Sequence, residues 1–139
     1  MAWPRLGDEI PALRKAPVDK LRLLHYAGAS GDDNLIHVDV ETARSVGLEG
    51  VIAHGMLSMG FLGQLLTDWA GPGAVRSLEV RFARMVELGD ALTCRGVVTA
   101  VEGGAAGALV GLRVWAENQR GEPVTTGEAE VFLSGPSEA

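Results

Sequence analysis

The hydrophobic residues of this chain change their period part-way along it. Between Gly55 and Trp69, the residues Met56, Leu57, Met59, Phe61, Leu62, Leu65, Leu66 and Trp69 recur at helical spacing and cover more than half of the circumference. That pattern predicts a long helix buried on most of its sides. Gly60 and Gly63 stand inside it, each costing about 1 kcal/mol of helix propensity relative to Ala, so a close backbone approach, by a sheet, is the expected reason for them. Gly71-Pro72-Gly73 ends the helix, and beyond it apolar and polar positions alternate. Leu78, Val80 and Phe82 mark one face of a strand over 76–86, and Glu87-Leu88-Gly89-Asp90 makes a turn. Leu92, Cys94, Val98 and Ala100 mark a strand over 91–101, closed by Gly103-Gly104, and Ala108, Val110, Leu112, Val114 and Ala116 mark the next. A hairpin loop at Asn118 to Gly121 leads to a last strand over 123–133. Consecutive strands are expected to pair as an antiparallel meander.

The first half reads as shorter helices. Asp19, after Pro17, can cap a helix from Lys20 to Ala27 that turns Leu21, Leu24 and either Leu23 or Tyr26 inward, with Gly28 and Gly31 stopping it. A second helix starts at Asp39 or Val40, runs through Ala43 and Val46, and ends at Gly47. With a single long apolar helix ahead of a meander, the simplest burial solution is an α+β fold in which the sheet curls around that helix. Residues 1–139 form one domain on this reading, since the chain is long enough for a core that buries roughly two-thirds of its unfolded surface and too short for two. A second subunit is a natural way to complete the burial. The polar tail, Ser134 to Ala139, is the only low-complexity stretch.

Charge and composition exclude several functions. Twelve basic against 18 acidic residues leave a net charge of -6, which attracts neither a nucleic-acid backbone nor an anionic lipid surface. The start, Met1-Ala-Trp-Pro-Arg, has no apolar run of signal-peptide type, and no stretch approaches bilayer length, so a cytoplasmic protein is expected. The single Cys94 has no disulfide partner, and the chain contains neither a Cys-x-x-Cys nor a His-x-x-x-His pair, so no structural metal is expected. Cys94 reads as a small buried hydrophobe.

Chemistry concentrates in two stretches, Ser30-Gly-Asp-Asp-Asn-Leu-Ile-His37 and Ala53-His-Gly-Met56. Asp32 and His37 stand five residues apart in a Gly-containing turn, where a carboxylate and an imidazole can divide general acid and base duties over one water. Asn34 between them can hold the turn or orient a substrate group. Gly55, opening the long helix, offers an uncommitted N–H at the positive end of the helix dipole, suited to a developing oxyanion. His54 shapes the loop or caps the helix. Taken singly, Asp32 is an ordinary turn residue and His37 an ordinary structural histidine; it is their conjunction with His54-Gly55 that points to chemistry beside a carbonyl.

Taken with their flanks, as Tyr26 to Asp39 and then Gly47 to Gly60, these two stretches, in this order and ahead of a strand-rich second half, resemble the MaoC-like, R-specific enoyl-thioester hydratase family. Within it, the chain is most similar to the catalytic subunit of actinobacterial 3-hydroxyacyl-carrier-protein dehydratases. The resemblance implies a hot-dog fold and reversible syn addition of water to a trans-2-enoyl thioester of coenzyme A or acyl carrier protein, giving the (R)-3-hydroxyacyl product. It places the catalytic Asp at Asp32, the catalytic His at His37 and the carbonyl-polarising glycine at Gly55, with Asn34, His54 and Met56 as substrate-binding positions. It implies no cofactor, and a site at the interface of a homodimer or of a heterodimer with another hot-dog chain. Leu35 stands where the family usually has Pro, and Asp33 where it often has an apolar residue. The alternatives are a hot-dog acyl thioesterase and a subunit acting mainly through its partner.

Overall fold

The computed structural model of the protein describes residues 3–135. The expected start and polar tail fall partly on residues 1–2 and 136–139, outside the described range. A short strand β1 (Leu13–Arg14) leads to helix α1 (Lys20–Ser30), a 3-10 turn (Leu35–His37), helix α2 (Val40–Ser45) and the long helix α3 (Gly55–Ala70). Strands β2 (Val75–Phe82), β3 (Thr93–Gly103), β4 (Gly107–Glu117) and β5 (Pro123–Ser134) follow.

All five strands form one antiparallel sheet in the order β1-β3-β4-β5-β2. The meander expectation therefore holds for β3, β4 and β5 and fails for β2, which pairs with β5 at the far edge. A hairpin between β2 and β3 would leave α3 uncovered on one side. Instead residues 83–92 connect β2 at one edge to β3 near the other, pinned where Ala53 N–H donates to the Val86 carbonyl (2.7 Å) and Val18 N–H to that of Asp90 (2.8 Å). β2 also ends at Phe82 rather than continuing to Val86.

Helix α3 packs against β2, β3, β4 and β5, burying Leu57, Phe61, Leu62, Leu65 and Leu66. Full burial of one such side chain contributes about 1.5–3 kcal/mol. The sheet's side of the core comes from alternation: Ala108, Val110, Leu112, Val114 and Ala116 are all buried. In β3 the alternation is interrupted, because a register shift between Val98 and Ala100 turns Ala100 outward and brings Val101 against the core, contrary to the expected face. Cys94 is fully buried, and that burial pushes its thiol up to about 12, so it packs as a hydrophobe.

Two other expectations are corrected. No neighbouring atom lies within 4 Å of where a Cβ on Gly60 or Gly63 would sit, so these glycines are not sites of close approach: they lie on the face of α3 turned away from the sheet. In α1 the inward residues are Leu23 and, half-buried, Tyr26, spaced one helical turn apart, while Leu21 and Leu24 are exposed. Asp19 caps α1 as expected, accepting from Arg22 N–H (2.8 Å), but Gly28 does not stop it. The helix runs on to Gly31, which adopts φ +77°, a left-handed conformation that favours glycine, and donates its N–H to the Ala27 carbonyl (3.0 Å).

Leu62 is fully buried between α3 and the sheet. Leu62→Ala is expected to lower unfolding free energy by about 2–5 kcal/mol, read as a reduced midpoint at unchanged slope in urea titration.

Candidate active site

The turn after α1 is built from its own side chains. The Asp32 N–H donates to Ser30 Oγ (3.1 Å), the Asn34 N–H to Asp32 Oδ1 (3.3 Å) and the Ile36 N–H to Asn34 Oδ1 (3.2 Å). Short polar side chains thus satisfy the backbone donors that an irregular segment leaves open. Asn34 spends its carbonyl oxygen on this turn, as the N-cap of the 3-10 segment. No proline is needed at Leu35 for the turn to form, and Leu35 is exposed, as is Asp33.

This turn is fastened to the strand-like segment leading into α3 through Ile52 and His54. The Ile52 N–H donates to the Ile36 carbonyl (3.2 Å), and the Ile52 carbonyl accepts from His37 Nδ1 at 2.7 Å. Because a carbonyl only accepts, Nδ1 of His37 carries the proton and Nε2 is the bare nitrogen. The same reasoning applies to His54, whose Nε2–H donates to the backbone carbonyl of Asp32 (3.0 Å). The rings of His37 and His54 are stacked, with centroids 3.8 Å apart and an interplanar angle of 25°, and Tyr26 lies tilted against His54 at 4.8 Å.

One atom of each of Asp32, His37 and His54 lies within 4.8 Å of the others. Two groups that each hydrogen-bond one water stand about 4.5 Å apart, so the spacing of Asp32 and His37 suits a shared water. It suits a metal ion less well. One nitrogen of each ring is already spent on a backbone carbonyl, and the remaining nitrogen of His54 is buried.

His37 opens on a cleft of ≈ 360 Å³, within the usual range for a small-molecule site. Its walls come from Ile52, Phe82, Met85 and Val86, with Gly55 at the opening of α3. As the first residue of α3, Gly55 has no carbonyl one turn behind it for its N–H, and the His54 side chain makes no cap bond. A Cβ here would meet the Phe82 ring at 3.2 Å, so a larger residue would need that half-exposed ring to shift.

His37 and Gly55 thus line one cleft, and Asp32, exposed and outside the cleft lining, stands close to the mostly covered His37. The other site positions are placed differently. Asn34 is committed to the turn, Met56 is exposed beyond the cleft lining, and His54, only 2% exposed, lies behind His37. Sequence reasoning missed Ser58 and Thr125, whose hydroxyls meet at 2.6 Å in the cleft wall. The signal for Ser58 was available, as a polar residue within the most buried helix. Arg84 also lines the cleft, 3.5 Å from Glu122, whereas Arg76 bonds the Gly73 carbonyl.

Residues 4–118 match the model of the MaoC like domain. The chain belongs to that family. Among curated relatives, it is 40% identical over 76 residues to the (R)-specific enoyl-CoA hydratase of Rhodospirillum rubrum, a match spanning 53% of either chain, so about half of that relative's length. It is 30% identical to the 3-oxo-4,17-pregnadiene-20-carboxyl-CoA hydratase beta subunit of Mycobacterium tuberculosis, over 86% of this chain and 90% of the relative. Among solved structures, the (R)-hydratase from A. caviae involved in PHA biosynthesis superposes with a TM-score of 0.83 at 28% identity, covering 94% of this chain and 97% of that one. The fold of this MaoC-like chain is accordingly the hot-dog, α+β, with α3 as its central helix.

Immediately after the turn, Asp39 caps α2 by accepting from the Thr42 N–H (3.3 Å) and hydroxyl. The Thr42 hydroxyl above all holds its carboxyl below the usual carboxylate range, against a smaller opposing effect of desolvation. A depressed folded value means that the cap's stabilisation is fully present above the unfolded value of about 3.9 and is lost as pH falls through the folded one. Amides of Thr42 to Arg44 are therefore expected to lose hydrogen-exchange protection, relative to the α3 core, as pH drops below about 4.

Proposed function

We infer that this MaoC-like chain is an (R)-specific enoyl-thioester hydratase, a hydro-lyase interconverting trans-2-enoyl and (R)-3-hydroxyacyl thioesters carried on coenzyme A or acyl carrier protein. The observation that carries this reading is the Asp32 carboxylate within 4.8 Å of His37, which lines an apolar cleft together with Gly55, the residue whose N–H is free at the start of α3. Relatives named as (R)-specific enoyl-CoA hydratase and as a CoA-thioester hydratase subunit support it.

The chemistry follows from which atoms are free. One oxygen of Asp32 is spent on the Asn34 N–H, and the other holds a water. The bare Nε2 of His37 takes one proton from that water as its oxygen bonds to the β carbon of the enoyl group. Electron density moves through the conjugated system onto the thioester oxygen, where the Gly55 N–H and the α3 dipole stabilise the enolate-like charge. The imidazolium then returns the proton to the α carbon on the same face. Water adds syn, no net proton is gained or lost, and the reaction balances with water alone. The acyl chain runs along Ile52, Phe82, Met85 and Val86, and Arg84 stands where a carrier's phosphate or acidic surface arrives.

The working unit is a dimer, with a second copy or another hot-dog subunit covering the exposed apolar residues Met56, Phe82 and Met85 around the cleft. A relative named as a beta subunit favours the second arrangement. Residues 1–139 act as one domain, in the cytoplasm; among the described residues no helix is long and apolar enough to cross a membrane.

Enoyl thioesters of several lengths, on coenzyme A and on a carrier protein, should lose their conjugated double bond on mixing with the purified protein. Thiol release without 3-hydroxyacyl product would instead identify a thioesterase. Asp32→Asn and His37→Ala are each expected to lower kcat by about 10²- to 10⁴-fold, and full activity in either would remove that residue from the site. Gly55→Ala should leave thermal stability intact but cut kcat/KM by about tenfold or more, because the new methyl displaces Phe82 at the end of the cleft where the oxyanion forms.

A further inference from the structure

One residue touches all three parts of the site without facing the cleft. The His54 Nε2–H holds the Asp32 carbonyl at 3.0 Å, its ring stacks on that of His37 at 3.8 Å, and its own peptide links to Gly55 as the N-cap of α3. Its opposite nitrogen, Nδ1, is buried and without a hydrogen-bond partner, the one such side-chain atom among the described residues. A ring present only to fill space between Tyr26 and His37 would carry no nitrogen there, since an orphaned polar atom destabilises the fold. The combination of a committed Nε2–H and an orphaned Nδ1 is what a residue selected for its donor, at the expense of stability, displays.

We propose that His54 is the positioning residue of the acid/base pair. It sets the height of Asp32 by gripping that residue's backbone carbonyl, and it sets the plane of His37 by stacking on it. The His37 ring is then held from two directions, by His54 on its face and by the Ile52 carbonyl at Nδ1, so Nε2 keeps a constant aim at the water. The grip on Asp32 matters most, because that residue's own other hydrogen bonds, with Ser30 and Asn34, reach only two positions along the chain, while the Ile52 bonds hold the turn further on, at Ile36 and His37. His54 is the long-range tie, 22 positions away in sequence, that gives the carboxylate a fixed distance from His37. This role rests on the hydratase reading of Asp32 and His37.

Substitutions that separate ring from donor provide the test. His54→Phe keeps a flat ring against His37 and lacks the N–H; His54→Gln supplies an amide N–H near the place of Nε2 and lacks the ring. His54→Phe is expected to fold with undiminished thermal stability and to lose about 10²-fold in kcat, with KM within about threefold of the parent, as a misplaced reacting group costs rate rather than binding. His54→Gln should regain most of that loss. A His54→Phe protein with parental kcat, or a His54→Gln protein as slow as His54→Phe, overturns the proposal. A second readout uses the unaltered protein: the ¹H–¹⁵N spectrum of its imidazoles should show His54 protonated on Nε2 and His37 on Nδ1, and His54 protonated on Nδ1 instead overturns it. Asp32→Asn and His37→Ala run in the same assay. If they remain active the hydratase site itself is misplaced, whereas if they are inactive and His54→Phe is not, only the role of His54 fails.

Discussion

Burial of helix α3 is the constraint on which the remaining structure depends. With Leu57, Phe61, Leu62, Leu65 and Leu66 all buried, one face of the helix demands an apolar surface nearly as long as itself. A curled sheet supplies it, and the helix touches four of the five strands. The order of those strands follows from the same demand. β2 leaves the end of α3 and takes the far edge beside β5, so β3, β4 and β5 are free to cover the helix as a continuous meander.

The anchored helix is also what lends the site its rigidity. Its first turn carries Gly55, and the segment just before it carries Ile52 and His54, the two residues that hold the Asp32–His37 turn. Asp32 and His37, the proposed reacting groups, stand on an exposed turn, yet they are tied by hydrogen bonds to the start of the most deeply packed element. Loop residues positioned by a packed scaffold in this way can place polar groups accurately while leaving them open to substrate. The arrangement has a cost, visible in the orphaned Nδ1 of His54 and in the exposed apolar rim at Met56, Phe82 and Met85. Both are features that a chain shaped for stability alone would lack.

Much of this was legible in the residues. α3 was predicted to begin at His54-Gly55 because its apolar stripe is long and strongly periodic, and β4 because five small or branched residues alternate without interruption. The likeness of Tyr26 to Asp39 and of Gly47 to Gly60 to a known family identified the fold. Less legible were features that depend on partners distant in sequence. The inward face of α1 was misjudged at Leu21 and Leu24, since a short helix with leucines on two sides can be buried along either. The shift at Val98–Ala100 has no glycine or proline to announce it, and the glycines of α3 carry no mark of which way they face.

Sequence alone therefore determined the three helices, the four long strands and the candidate groups for handling a water, because periodicity and local turn chemistry operate over a few residues; the short β1 and the 3-10 segment carried no such signal. Tertiary structure decided the rest. It set β2 beside β5, stacked His37 on His54, and gave each ring its tautomer through a backbone carbonyl 15 or 22 positions away. Those pairings have no local signal, since they arise only when burial of α3 brings its N-terminal approach against the turn. In that closure Asp32 and His37 become a pair with a defined separation, and His54 changes from a loop residue into the tie between them.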